Sequence, residues 1–177
     1  MVQRAVAAFL ASAAILAAAP ACAQLAACAK FRAAMARAAG DMNADFVRPL
    51  VVSRGGASAT EQYDLTSNAR LDGSLQCRGE TFVSFEVKVH LPVEGGLNER
   101  FATAQMAAMV AGLGWAPGRA KNKVASLASD AAEYLRGSGE RGDVVVAGKV
   151  EEHLPGGADI GAVWTATERT FILLNRD

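Results

Sequence analysis

From Gln62 to Cys77 (QYDLTSNARLDGSLQC) the chain sorts its side chains by parity. Tyr63, Leu65, Ala69, Leu71, Leu75 and Cys77 fall on odd positions, and Asp64, Thr66, Asn68, Arg70, Asp72, Ser74 and Gln76 on even ones. Successive side chains of a strand point to opposite faces, so this is strand alternation with one buried face. Asp72-Gly73 has the composition of a two-residue hairpin turn. A turn there would set Leu71 opposite Ser74 and send Leu75 and Cys77 to the other face. The unbroken parity instead predicts a strand running through Gly73, with any turn near Ser67-Asn68, and Cys77 pointing inward.

The next stretch, TFVSFEVKVHL, alternates in the same way. Val83, Phe85, Val87, Val89 and Leu91 are expected to face the core, with Ser84, Glu86, Lys88 and His90 outward and Pro92 as the terminator. Upstream, FVRPLVV (Phe46 to Val52) is rich in branched residues, but Pro49 cannot donate to a central ladder and restricts the segment to an edge strand or a bend. Ser53 to Gly56 reads as a loop. At the other end, VVVAGKVEEHL, IGAVWTAT and FILL are separated by Pro155-Gly156-Gly157 and Glu168-Arg169, which predicts an antiparallel meander.

Three segments carry helical spacing instead. Leu25, Cys28, Phe31, Met35, Ala38 and Met42 recur every three or four residues, opposite Lys30, Arg37 and Asp41, and the helix ends between Gly40 and Asn43. Asn98 is placed to cap a helix reaching Leu113, with Phe101, Met106, Met109, Val110 and Leu113 as its apolar set. Ala120 to Arg136 forms another, with Val124, Leu127, Ala131, Tyr134 and Leu135 on one stripe and Gly137 as its C-cap. The resulting fold class is α+β: an antiparallel sheet packed against an N-terminal helix and a central helix pair, with one disulfide.

The disulfide follows from the leader. Arg4 is followed by an apolar stretch from Ala5 to Ala19, interrupted only by Ser12, then Pro20 and the small-x-small site Ala21-Cys22-Ala23. That is the pattern of a secretory signal peptide cleaved between Ala23 and Gln24. Residues 1–23 are then leader and 24–177 one domain. Removing 23 of the 177 residues leaves 154, enough for one core. Two other readings use the same residues: a lipoprotein anchored at Cys22, and an uncleaved apolar anchor that Pro20 and Gln24 would interrupt. Once Cys22 is lost, Cys28 and Cys77 remain as a pair in a compartment that permits disulfides. The chain is expected to be periplasmic or secreted, a pattern common among exported bacterial proteins.

Composition excludes some partners. Lys and Arg total 18, as do Asp and Glu. With Arg4 removed the balance is close to minus one, which gives nucleic acid or an anionic membrane no electrostatic attraction. No glycine-rich phosphate loop is present, so no nucleotide or other cofactor is expected. No apolar run after the leader is long enough to span a bilayer.

Candidate chemistry is sparse. His90 and His153 are the only histidines. Glu86 shares a face with His90, and Glu151 shares one with His153, so adjacent strands would give a metal such as zinc four ligands. If they are not adjacent, these are two solvated faces. Ser138 in Gly137-Ser138-Gly139 lacks the strand–turn–helix setting of a nucleophile elbow and reads as linker. Arg141-Gly142-Asp143 is a three-residue match of the kind chance supplies. Trp115, in Gly-Leu-Gly-Trp-Ala-Pro, is either a plug at the end of the core or an exposed anchor for a partner. The functional expectation is a non-enzymatic binding or envelope-accessory protein, with Trp115 as its candidate binding surface and a protein or envelope component as partner. The alternative is a metal-dependent or hydrolytic enzyme using His90 or His153 with Glu86 or Glu151.

Overall fold

A computed structural model describes residues 27–41, 49, 51–65, 70–92, 96–140 and 147–176. The elements run α1 (Cys28–Asp41), β1 (Val51–Gly55), β2 (Ser58–Asp64), β3 (Leu71–Arg78), β4 (Thr81–His90), α2 (Leu97–Leu113), α3 (Pro117–Glu140), β5 (Ala147–His153), β6 (Ala158–Thr165) and β7 (Glu168–Asn175). The seven strands form one sheet in the order β1-β2-β3-β4-β7-β6-β5, every neighbouring pair antiparallel. Two meanders, β1 to β4 and β5 to β7, therefore meet along β4 and β7. The helix pair crosses between them. This is the α+β architecture that the sequence predicts.

Parity decides which face is sealed. Leu71, Gly73, Leu75 and Cys77 are buried on β3, as are Phe85, Val87 and Val89 on β4, Phe171 and Leu173 on β7, and Ile160 and Ala162 on β6. β3 does run through Gly73, which lies opposite Tyr63 on one side and Val87 on the other. The expected turn at Ser67-Asn68 falls outside the described residues. Onto the inner face pack Phe31 and Met35 of α1, Phe101 and Met109 of α2, and Val124 and Leu127 of α3, all in one core. Phe31 is the centre of an aromatic cluster, with ring centroids 4.8 Å from Phe82 and 5.3 Å from Phe85. Tilted pairs of this kind add about 0.5–1.5 kcal/mol each to their area burial.

Cys28 and Cys77 are disulfide-bonded across a separation of 49 residues, joining the first residue of α1 to the inner face of β3. A second tie lies beside it. Arg32, one turn along α1, reaches Glu61 on β2 through two contacts of 2.8 Å, and the Tyr63 hydroxyl donates to the same carboxylate at 2.6 Å.

Local expectations change in several places. β4 does not alternate cleanly: Gln76 pairs with Ser84 but Cys77 with Phe82, leaving Val83 as an extra residue in a bulge. Phe82, not Val83, is therefore the buried residue at that end. Ser53 to Gly55 belong to strand β1, the sheet edge, and the turn begins at Gly56, whose φ of 60° suits glycine. Asn98 does not cap α2. Gly96, at φ 80°, occupies the cap position, and the Asn98 amide oxygen instead accepts from Arg169 at 2.8 Å. α3 passes through Gly137 and Ser138 to Glu140, so Gly137 is no C-cap and Ser138 is helical rather than linker. Glycine costs an interior helical position only about 1 kcal/mol, too little to stop a helix of 24 residues. Arg141-Gly142-Asp143 lies outside the described residues.

Candidate functional site

The sheet has a second face, and the strand register fixes what stands on it. One cross-strand row reads Ser74, Glu86, Ile172, Gly161, Glu151. The row on one side reads Gln76, Ser84, Leu174, Asp159, His153, and on the other Asp72, Lys88, Thr170, Val163. Among the described residues no helix packs on this face. Its β2–β3–β4 half is polar. His90 Nε2 lies 3.0 Å from Asp72 Oδ2, and Lys88 Nζ lies 3.5 Å from Glu86 and 3.7 Å from Glu168. A shallow polar groove of about 170 Å³ runs between Gln62, Asp72, Ser74, Glu86 and Lys88.

The β5–β6–β7 half is different. Gly161 has no side chain, so Val163, Ile172 and Leu174 surround a notch of about 110 Å³ with Glu151 and Asp159 at its rim. Among the described residues Leu174 is one of four large apolar side chains left exposed, at 37%. The notch is apolar and bordered by carboxylates.

At that rim a cluster forms that parity alone does not predict. Ligand atoms of Glu151, His153 and Asp159 all lie within 4.8 Å of one another. Asp159 is nearly buried, and its Oδ1 takes His153 Nδ1 and Arg176 Nε, each at 2.8 Å. Arg176 Nη2 also donates to the Leu154 carbonyl at 3.3 Å. A guanidinium on the shared carboxylate oxygen repels a divalent cation from that position. The cluster is a locked polar corner at the β5–β6 hairpin.

The histidines do not converge. His90 is on β4 and His153 on β5, with β7 and β6 between them. At a strand spacing of about 4.8 Å, Glu86 and Glu151 stand roughly 14 Å apart along their row. The four-ligand arrangement of His90, His153, Glu86 and Glu151 is thus not formed, and only the Glu151–His153 half is brought together. Trp115 is corrected as well. It is 7% exposed, packs into the core where α2 gives way to α3, and carries the Arg119 guanidinium 3.9 Å from its ring centroid. It plugs the core and offers no partner an aromatic face. Cys22 and the Ala23–Gln24 cleavage site lie outside the described residues.

Two groups of residues were missed. Asp159 shares parity with Gly161 and Val163 and lies across the Pro155-Gly156-Gly157 turn from His153, so hairpin counting would have found it. Glu61 gave no signal, because its partner Arg32 is on another element. Burial tends to raise the Glu61 carboxyl, but hydrogen bonds from Arg32 and Tyr63 and the guanidinium charge outweigh this and hold it below its ordinary value. Burial, then the bond to Glu61, pushes the Tyr63 phenol well above the ordinary range.

No known family model, curated protein or solved structure matches the chain. No described helix is long and apolar enough to cross a membrane.

Proposed function

We propose that this chain is an exported, non-enzymatic domain that binds a protein or other envelope component through the outer face of its sheet. The observation that carries the reading is the contrast between the two faces. Three helices, a disulfide and the Arg32–Glu61 pair seal and fasten the inner face, while the outer face presents the Val163–Ile172–Leu174 notch to solvent. Apolar area on an otherwise polar surface gains free energy when a partner covers it, at about 25 cal/mol per Å² before association costs. The leader-like residues 1–23 and the disulfide both support a periplasmic or secreted location.

Site-specific photocrosslinking in the native host tests the surface. A photoreactive residue at position 174 is expected to give a discrete crosslinked partner that Ile172→Asp abolishes, while one at position 121 on α3 gives none. Equal crosslinking from both positions would refute the proposed surface. Intact mass of the exported protein tests the leader, with a Gln24 start expected.

A further inference from the structure

The two sulfurs of the disulfide have different surroundings. Cys77 Sγ lies 3.5 Å from Arg32 Nη2, a guanidinium N–H donor. Cys28 Sγ lies 3.5 Å from the Thr81 carbonyl oxygen, which repels negative charge on sulfur. Cys28 is buried like Cys77, but it is the first residue of α1, held there by its N–H on the Glu80 carbonyl and bordered by exposed Ala27, Glu80 and Thr81, so opening one helix end is enough to uncover it. Cys77 is inside β3, beneath Arg32 and between β2 and β4.

We propose that the Cys28–Cys77 link is a directional thiol-exchange joint: an incoming thiolate attacks Cys28 Sγ, and Cys77 departs as a thiolate held by Arg32. In disulfide exchange the sulfur whose thiolate is better stabilised leaves faster. Two effects compete with this direction. The N-terminus of α1 favours negative charge on Cys28 by about half an elementary charge, and Glu61 partly neutralises Arg32. The Thr81 carbonyl acts against the first. The second leaves Arg32 still donating toward Cys77. Tyr63 and Glu80 complete the titratable groups that bear on Arg32, and Tyr63 stays neutral by donating to Glu61.

The chemistry balances with a dithiol as reductant. Its first sulfur bonds to Cys28 as the Cys28–Cys77 bond breaks, and the electron pair leaves on Cys77. Its second sulfur then displaces Cys28 and closes the reductant's own disulfide. The dithiol loses two electrons and the protein gains two. One of the reductant's two protons ends on Cys28 and the other passes to solvent.

Glutathione, a monothiol that resolves the mixed disulfide only through a second molecule, reads out the direction when the first adduct is trapped early. The full chain carrying Cys22→Ser is exposed to glutathione, quenched with acid, and mapped by mass for the sulfur that holds the adduct. The expected result is an adduct on Cys28 about tenfold more often than on Cys77, with Arg32→Gln removing most of that preference. Glu61→Gln frees the guanidinium and should strengthen it, which keeps the test decisive if Arg32→Gln does not fold. An adduct chiefly on Cys77, an unchanged ratio in Arg32→Gln, a weaker ratio in Glu61→Gln, or no adduct on either sulfur would each overturn the proposal.

Discussion

Arg32 and Glu61 join α1 to β2 through two parallel contacts, Nε to Oε2 and Nη2 to Oε1, each 2.8 Å. The fork of the guanidinium matches the carboxylate, so this pair fixes the rotation of α1 over the sheet as well as its distance. Because the folded state holds the Glu61 carboxyl below its ordinary value, its contribution is fully present above the ordinary carboxylate range and is lost as pH falls through the lowered value. Glu61→Gln is therefore expected to cost about 1–2 kcal/mol at pH 7. The gap from wild type should narrow as pH falls through the ordinary carboxylate range and close once the lowered native value is passed. Urea unfolding at pH 7, 5, 4 and 3 measures it. A gap independent of pH would show that the pair contributes nothing electrostatic.

The disulfide acts in parallel with that pair. Replacing Cys28 and Cys77 together by alanine should lower stability by roughly 4 kcal/mol on the chain-entropy account. For a chain of this size that corresponds to a Tm lower by roughly 8–16 °C. Phe31 and Met35 remain buried, so far-UV circular dichroism should stay unchanged at room temperature. Calorimetry of the double variant is the check, and an unchanged Tm would mean that the link constrains nothing the core does not already constrain.

At the β5–β6 hairpin the three clustered side chains should respond differently. Asp159 is nearly buried and accepts from both His153 and Arg176, so Asp159→Asn is expected to cost about 1–3 kcal/mol. Glu151 is exposed, and Glu151→Gln should stay within about 0.5 kcal/mol of wild type. Chemical denaturation of both variants separates a structural corner from a shared ligand site, which would respond similarly to loss of either carboxylate.

Trp115 should behave as core. Trp115→Ala is expected to cost about 3–5 kcal/mol, whereas Arg119→Ala, which removes only the cation lying over the ring, should cost about 1 kcal/mol or less. Crosslinking from position 174 should persist in Arg119→Ala. Its loss there would move the binding surface back to the α2–α3 corner.

Particular residues mark where legibility ends. Tyr63, Leu71, Leu75 and Cys77 revealed their face by parity, and Phe31, Met35, Val124 and Leu127 theirs by helical spacing, because both patterns are set by backbone periods of a few residues. Val83 broke the pattern: a bulge depends on how two strands fit together, and TFVSF contains no residue that announces it. Ile172 and Leu174 were hidden for a related reason. In FILL both faces of the strand are apolar, so alternation disappears where the outer face is most unusual.

By itself, the sequence determined the elements, the inward face of most strands, and the meeting of Cys28 with Cys77, since each follows from local period and from two sulfurs placed on inward positions. Only the tertiary structure decided that β4 pairs with β7. That choice separates His90 from His153 by two strands, while the docking of α1 on the sheet joins Arg32 to Glu61 and the β6–β7 register sets the Gly161 notch beside Ile172 and Leu174. β4 and β7 lie about eighty residues apart in the chain, so their pairing depends on long-range contacts that no window of neighbouring residues contains.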